Sequence, residues 1–488
     1  MRSMRGSLAA ALVGAALLAA GCGGSGSSSK SSVNTLPDTA SLAPKDAAVW
    51  VSVDTDRTSD QWKALDAVLT QIPGAEKLVD DALAQIGSGD KKLDFRRDVQ
   101  PALGKEVVIV LPAGSSDPVL LAKPSDNAKF KALLHNSTKP PVTGEHDGWT
   151  VVAQTQKALD AYQAALDKGT LADSDTFAQA MDGLPQVALA RVYVDGKGLG
   201  GAFGKAAGVA SGALQSLPIS SAGGLVEGLN SKALEQFGTI GLAVSAGDHV
   251  LRVDGSVETA NGVHPVSYAP TLLGKVPADA LVAVSWNGSG AVTSLLQAGL
   301  GETKTLERQL GVTQTDLAAA LDGEGVLYLR PSLLIPEVTL AIRPNDLARA
   351  KRVFEDIAEK TRRGASGTIS IPGLEPTVST VGDAVLVSTA KDVTASFGGS
   401  GTRLTDSDRF KTAASDVGLG AKTGGFVYVD VKALGPLVNA VLSAAGSGSS
   451  PDASLEQLTD VLSAIDFVAL DSSVDGSRVH FEGVVRVG

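Results

Sequence analysis

The 488-residue sequence holds one cysteine. That excludes a disulfide framework and any multi-cysteine zinc or iron–sulfur centre. Positive charge is the scarcer sign, 42 Lys and Arg against 53 Asp and Glu, for a formal net charge of −11. A chain so charged is not expected to bind nucleic acid phosphates broadly. Histidines number only five (His135, His146, His249, His264 and His480), and no two stand two or four residues apart. No local metal pair exists in the sequence, and no metal or cofactor is expected. There is no Gly-x-Ser-x-Gly elbow to hold a serine nucleophile. Beyond the first twenty-two residues no stretch reaches about 18 uninterrupted apolar residues, so no later transmembrane helix is expected. Glycine is plentiful at 55 residues but follows no collagen-like period.

What the sequence does have begins at its start. Arg2 and Arg5 precede an apolar run over residues 8–20, about 13 residues and too short to span a bilayer comfortably. Ala19-Ala20-Gly21-Cys22 closes the run, and residues 23–32 are almost entirely Gly and Ser. The junction resembles a bacterial lipobox, with Ala19 where Leu is usual. We expect residues 1–21 to be a lipoprotein signal peptide, Cys22 the lipidated first residue, and residues 22–35 the anchor and a tether too poor in apolar side chains to fold. Loss of Arg2 and Arg5 takes the net charge from −11 to −13. A body that acidic is repelled by an anionic leaflet, so contact with the membrane is expected through the lipid only. The expected location is the extracytoplasmic face of the cell membrane.

The remainder repeats at a spacing of about 230 residues. Ala43-Pro44-Lys45-Asp46-Ala47 followed by Val49-Trp50-Val51-Ser52-Val53 recurs as Val276-Pro277-Ala278-Asp279-Ala280 followed by Val282-Ala283-Val284-Ser285-Trp286. Leu121-Ala122-Lys123-Pro124-Ser125-Asp126 returns, one residue longer, as Leu340-Ala341-Ile342-Arg343-Pro344-Asn345-Asp346. Asp173-Ser174-Asp175-Thr176-Phe177 matches Asp406-Ser407-Asp408-Arg409-Phe410, and Val192-Tyr193-Val194-Asp195 matches Val427-Tyr428-Val429-Asp430 unchanged. Leu234-Glu235-Gln236 matches Leu455-Glu456-Gln457. Matches in constant order point to a tandem duplication, with a first repeat over residues 36–265 and a second over 266–488.

Periodicity supplies the elements of one repeat. Alternation predicts strands at 47–54, 107–111, 119–122, 150–153, 187–194, 239–245 and 250–257. Helical spacing predicts two helices over 60–87, split at Pro73-Gly74, and others at 126–134, 158–166 and 175–181. In the second repeat, strands at 467–470 and 479–487 flank a turn near Asp475-Gly476, and residues 446–451 read as a surface insertion. Recurring hairpins favour antiparallel pairing. The expected class is α+β, each half an antiparallel or mixed β-sheet with helices packed on one face. A parallel doubly wound sheet is the alternative, weakened by the hairpins.

The repeat also serves as a control on motifs. Gly196-Lys197-Gly198-Leu199-Gly200-Gly201 fits GxGxxG after a strand, as in a dinucleotide site. The matching places read Val431-Lys432-Ala433-Leu434-Gly435-Pro436, so a glycine-rich strand-to-helix loop is the preferred reading. Gly204-Lys205 lacks the following Ser or Thr of a P-loop. Asp173-Ser174-Asp175 and Asp406-Ser407-Asp408, like Ser125-Asp126 and Asn345-Asp346, read as helix caps. One repeated pair is left as a candidate partner-binding point: Asp195 with Lys197, and Asp430 with Lys432, at the exit of the shared strand.

The lipoprotein start, the proline-bearing entry into an alternating strand (Pro44 and Pro277) and the Asp-Ser-Asp-x-Phe element together resemble a family of secreted, often lipid-anchored proteins of high-GC Gram-positive bacteria, the domain of unknown function numbered three-three-five-two. The resemblance is read over most of residues 36–488. It implies an envelope location and brings no catalytic residues. The expected function is non-enzymatic binding of an envelope partner, whether protein, glycan or lipid. The alternatives are an envelope hydrolase using carboxylates assembled by the fold and a carrier of lipid or small apolar ligands.

Overall fold

The computed structural model describes residues 36–75, 97, 99–115, 117–135, 140–199, 237–259, 266–288, 312–332, 336–362, 376–437 and 460–488. Cys22 and its tether, the second helix expected before residue 87, Gly200, Gly201, Gly204, Lys205, the Leu234 and Leu455 matches, His264 and the 446–451 insertion lie outside the described residues. The chain divides at residues 263/264 into two compact units.

Unit 1 carries β1 (Val49–Asp54), β2 (Glu106–Leu111), β3 (Val119–Ala122), β4 (Val142–His146), β5 (Trp149–Ala153), β6 (Ala190–Asp195), β7 (Phe237–Gly247) and β8 (Val250–Thr259). Their spatial order is β4-β5-β3-β2-β1-β6-β7-β8. Unit 2 carries β9 (Val282–Asn287), β10 (Gly323–Arg330), β11 (Glu337–Pro344), β12 (Thr377–Val381), β13 (Ala384–Ser388), β14 (Gly425–Val429), β15 (Ile465–Asp475) and β16 (Arg478–Val487). Here the order is β12-β13-β11-β10-β9-β14-β15-β16. Counted from the first strand of each unit, the two orders are the same. The pairings along them are antiparallel, from β1 with β2 and β6 to β9 with β10 and β14. The class is therefore α+β with extensive antiparallel sheet, and the parallel alternative is overturned.

Registers repeat as well. Trp50 of β1 stands between Val110 of β2 and Tyr193 of β6; Ala283 of β9 stands between Tyr328 of β10 and Tyr428 of β14. On this face of unit 1, Trp50, Val108, Val110, Leu121, Tyr162, Phe177 and Tyr193 form one core. The Phe177 ring meets Trp50 and Tyr193 edge-on at 5.4 and 5.1 Å. In unit 2 Phe410 meets Phe426 and Tyr428 at 5.5 and 5.3 Å in the same edge-on way. Such aromatic pairs add about 0.5–1.5 kcal/mol beyond their buried area.

The expectation that helices cover one face is corrected. In unit 1 the opposite face is covered by Asp60–Leu69, whose Trp62 and Leu65 pack with Leu189 and Ala246, and by Asn127–His135, whose Phe130 packs with Ala102 and Ala122. In unit 2 Gln314–Ala320 and Leu347–Arg362 pack on the face bearing Trp286, Ile342 and Val385. The reason is written in β2, whose Val107 and Val108 are both buried although they point to opposite sides; near-continuous apolar strands belong to sheets covered twice.

A second difference is the hairpin β4–β5, where the sequence reading has β5 alone. Asp147 (φ 46°) and Gly148 (φ 74°) turn it, the pair of positive φ values that a two-residue hairpin loop demands. Val142–His146 offers little apolar alternation and lies at the end of the strand order, which is why it escapes a hydrophobic pattern. No described helix is long and apolar enough to cross a membrane.

Candidate functional site

The repeated Asp-x-Lys pairs sit where the sequence places them, at the ends of β6 and β14, but their surroundings differ. In unit 1 the Asp195 carboxylate accepts the backbone N–H of Lys197 at 3.0 Å, opening the short helix Gly196–Leu199. Lys197 itself is exposed. This loop is the one that fits the glycine motif, and its geometry is that of a strand running into a helical turn.

In unit 2 the Asp430 carboxylate accepts both 2.7 and 2.8 Å bonds from the Arg409 guanidinium and a third, at 2.9 Å, from the Ala433 N–H. The carboxylate holds the Arg409 pKa above its ordinary value, burial pulling the other way. Burial, together with the nearby Asp430 carboxylate, pushes the Tyr428 hydroxyl well above the usual range. Lys432 reaches Asp466 of β15 at 3.0 Å. The strand exit is thus a row of alternating charges, Arg409, Asp430, Lys432 and Asp466. Arg409 comes from the helix Asp408–Asp416, and the matching place in unit 1 is Thr176, so the row belongs to unit 2. Repetition in the sequence reveals the two aspartates and lysines; it cannot reveal Arg409, because only one copy has it.

The Asp-Ser-Asp elements cap helices through their serines. Ser174 Oγ accepts the Phe177 N–H and Ser407 Oγ the Phe410 N–H, each at 3.3 Å. The preceding acids turn the other way: Asp173 accepts from Thr170 and Asp406 from the Arg403 N–H, and those bonds from Thr170 hold the Asp173 carboxyl below the usual carboxylate range. Asp126 and Asp346 likewise accept the N–H groups of Lys129 and Arg349. These residues are spent on backbone.

A pair that sequence reasoning misses is Glu106 and Glu324. Glu106 stands opposite Asp54, and Glu324 opposite Asn287, the same place in each unit. Glu106 accepts hydrogen bonds from Ser52 Oγ and from Thr39 Oγ1 at 3.3 Å. Glu324, nearly buried, accepts from Thr271 Oγ1 at 2.7 Å, from the Leu272 N–H at 2.5 Å and from Arg343 at 2.7 Å. Each glutamate thus ties the segment leading into the first strand to the sheet. The cations differ in origin. Arg191 of β6 feels Glu106 electrostatically while burial lowers its pKa, whereas Arg343 of β11 bonds Glu324 directly and reaches Asp383 at 2.7 Å. Among the described residues no group of three or more His, Cys, Asp or Glu is placed to hold a metal ion.

Comparison with known proteins bears out the family resemblance. Residues 7–155 match the model described as Protein of unknown function (DUF3352). The match covers a narrower span than the resemblance read from the sequence. No curated protein matches the chain. Two crystal forms of TP0453 are among the similar solved structures. Form III is 10% identical over 47% of this chain and 81% of its own. Form I is 13% identical over the same shares, and both have a TM-score of 0.24, too low to carry an argument about fold or function.

Proposed function

From the match of residues 7–155 to the model of a family without an assigned activity, we propose that the chain is a lipid-anchored, non-enzymatic binding protein of the extracytoplasmic membrane face. The observation that carries the address is the run from Arg2 and Arg5 through the apolar residues 8–20 to Cys22 and its Gly/Ser tether. A lipidated cysteine followed by about ten small residues holds a folded body off the bilayer while leaving it free to turn. The body is a copied and fused unit; the ordered sequence matches support this, as does the same strand order in both units.

The partner is met through charged groups at the strand exits of β6 and β14. Lys197 and the Arg409–Asp430–Lys432–Asp466 row carry fixed charge at the end of a rigid sheet, which suits recognition of an envelope component bearing both signs. Metabolic labelling with a palmitate analogue tests the address. Label is expected on the wild-type chain and lost in Cys22→Ala, which should move from the membrane to the soluble fraction; a labelled or membrane-bound variant would refute the anchor. Crosslinking in intact cells tests the binding surface. Lys197→Ala combined with Lys432→Ala should reduce the crosslinked partner, and an unchanged yield ends the role of the strand exits. Turnover of peptidoglycan would instead favour the hydrolase, and lipid co-purifying in native mass spectra the carrier.

A further inference from the structure

Asp471 is an acid in an apolar place. It lies on β15 opposite Phe426 of β14 and is 7% exposed. By alternation it shares the face of Phe467 and Ala469, which belong to the core built around Phe410, Phe426 and Tyr428. Its carboxylate accepts the Thr423 hydroxyl at 2.6 Å. Thr423, fully buried, accepts the Gly425 N–H on the same oxygen at 2.9 Å. Its backbone also forms a two-bond bridge with Tyr268, at 2.9 and 3.1 Å. Tyr268 reaches on to Ser285 of β9 through its hydroxyl at 2.8 Å. One carboxyl therefore stands behind the contact that pins the segment leading into β9.

The fold does not require an acid there. With Tyr193 and Tyr428 matched, their partners are Gly241 and Ala469, and two residues further on stand Ala243 and Asp471. Unit 1 builds the same strand with alanine.

We propose that Asp471 is a proton-operated catch in unit 2. Neutral, it leaves the Tyr268–Thr423 bridge closed over a dry core; ionised, it draws water in beside Thr423 and loosens the segment that leads into β9. Water has a short route, because Gly420, Ala421 and Lys422 are exposed and run directly into buried Thr423.

The charges around it favour this. The charged side chain that acts on Asp471 is Glu482 of β16, of like sign. Arg478, His480 and Arg486 share the Glu482 face by alternation, and Arg486 is taken by Asp416 of the packed helix at 2.8 Å. On that helix Asp408 and Lys411 pair at the surface, while Arg409 is held by Asp430. On β15 itself Asp466 is paired with Lys432, and Asp475 is exposed at the strand end. Tyr428 of β14 has its hydroxyl toward Asp430. Burial pushes the Asp471 carboxyl from 3.8 up to about 7; the Thr423 and Ser472 hydrogen bonds offset part of this, and Glu482 adds to it.

The sign follows from linkage. A carboxyl whose pKa is higher folded than unfolded binds its proton more tightly in the closed state. Closure is therefore strongest near pH 4 and weakens as pH rises toward 7, by about tenfold per pH unit at most for one proton.

Hydrogen–deuterium exchange of the full chain, read as the ratio of wild type to Asp471→Asn at each pH, removes the intrinsic pH effect and any contribution from His480. Peptides containing Tyr268 and Thr423 should show that ratio rising between pH 4 and 7 and levelling off above it, while peptides from β1 and β2 show no such rise. Asp471→Ala, which copies Ala243, should behave as Asp471→Asn does and serves if the amide variant folds poorly. Glu482→Gln should move the wild-type midpoint to lower pH, since removal of a like charge eases ionisation. The proposal is overturned by a ratio that stays flat with pH, by equal pH response in the wild type and both Asp471 variants, or by a Glu482→Gln midpoint at or above that of the wild type.

Discussion

Phe177 and Phe410 each sit on the first turn of a helix, held by a serine cap below and facing a strand tyrosine above. Removing such a ring leaves a cavity that rigid strands cannot close. Phe177→Ala and Phe410→Ala should each lower stability by about 3–5 kcal/mol, read from urea unfolding of the full chain. The caps contribute less: Ser174→Ala or Ser407→Ala should lower stability by about 1 kcal/mol. Less again is expected of the Arg409 side of its ion pair. The Arg409 side chain is 39% exposed, so solvent screens the attraction, and Arg409→Ala should change stability by less than about 1 kcal/mol. A larger loss in that variant would show that the charged row at the end of β14 holds the fold together and is not available to a partner.

At the scale of elements, one close approach and one turn show where small residues are needed. Gly325 lies opposite Trp286, and a Cβ there would stand 2.4 Å from the indole ring. Gly325→Val should lower stability by about 1–3 kcal/mol through overpacking, with tryptophan fluorescence reporting the displaced ring. Gly148→Val asks a β-branched residue to take φ 74° at the β4–β5 turn; it should open that hairpin and raise exchange in β4 while β1 stays protected. The sequence makes β1 readable because Trp50 and Val51 mark both faces in turn, and Asp175–Met181 because a serine cap precedes it. It hides β4, whose Val142–His146 has a single large apolar residue, and it hides the second helical layer, because an unbroken apolar run such as Val107–Leu111 names no preferred side. The candidate site divides in the same way. Residues doubled in the sequence, Asp195 and Asp430, stand out along the chain. Glu106, Glu324 and Asp471 acquire meaning only when the fold brings in Thr39, Thr271 or Thr423.

For the whole molecule, charge and anchor act together. If residues 1–21 are removed as proposed, the body is more acidic than the −11 of the full chain, so Cys22→Ala protein should not cosediment with phosphatidylglycerol vesicles at physiological salt; cosedimentation would show a membrane-binding face on the body itself. The two units look interchangeable by strand order, yet their glutamates draw on opposite neighbours, Arg191 from β6 and Arg343 from β11. A chimera that imported β11 in place of β3 would set two guanidinium groups against Glu106, and the reverse graft would put Lys123 where Glu324 has Arg343. Each unit has so committed its counter-ion to a different side that parts can no longer be traded between them one strand at a time, only as whole wings of the sheet.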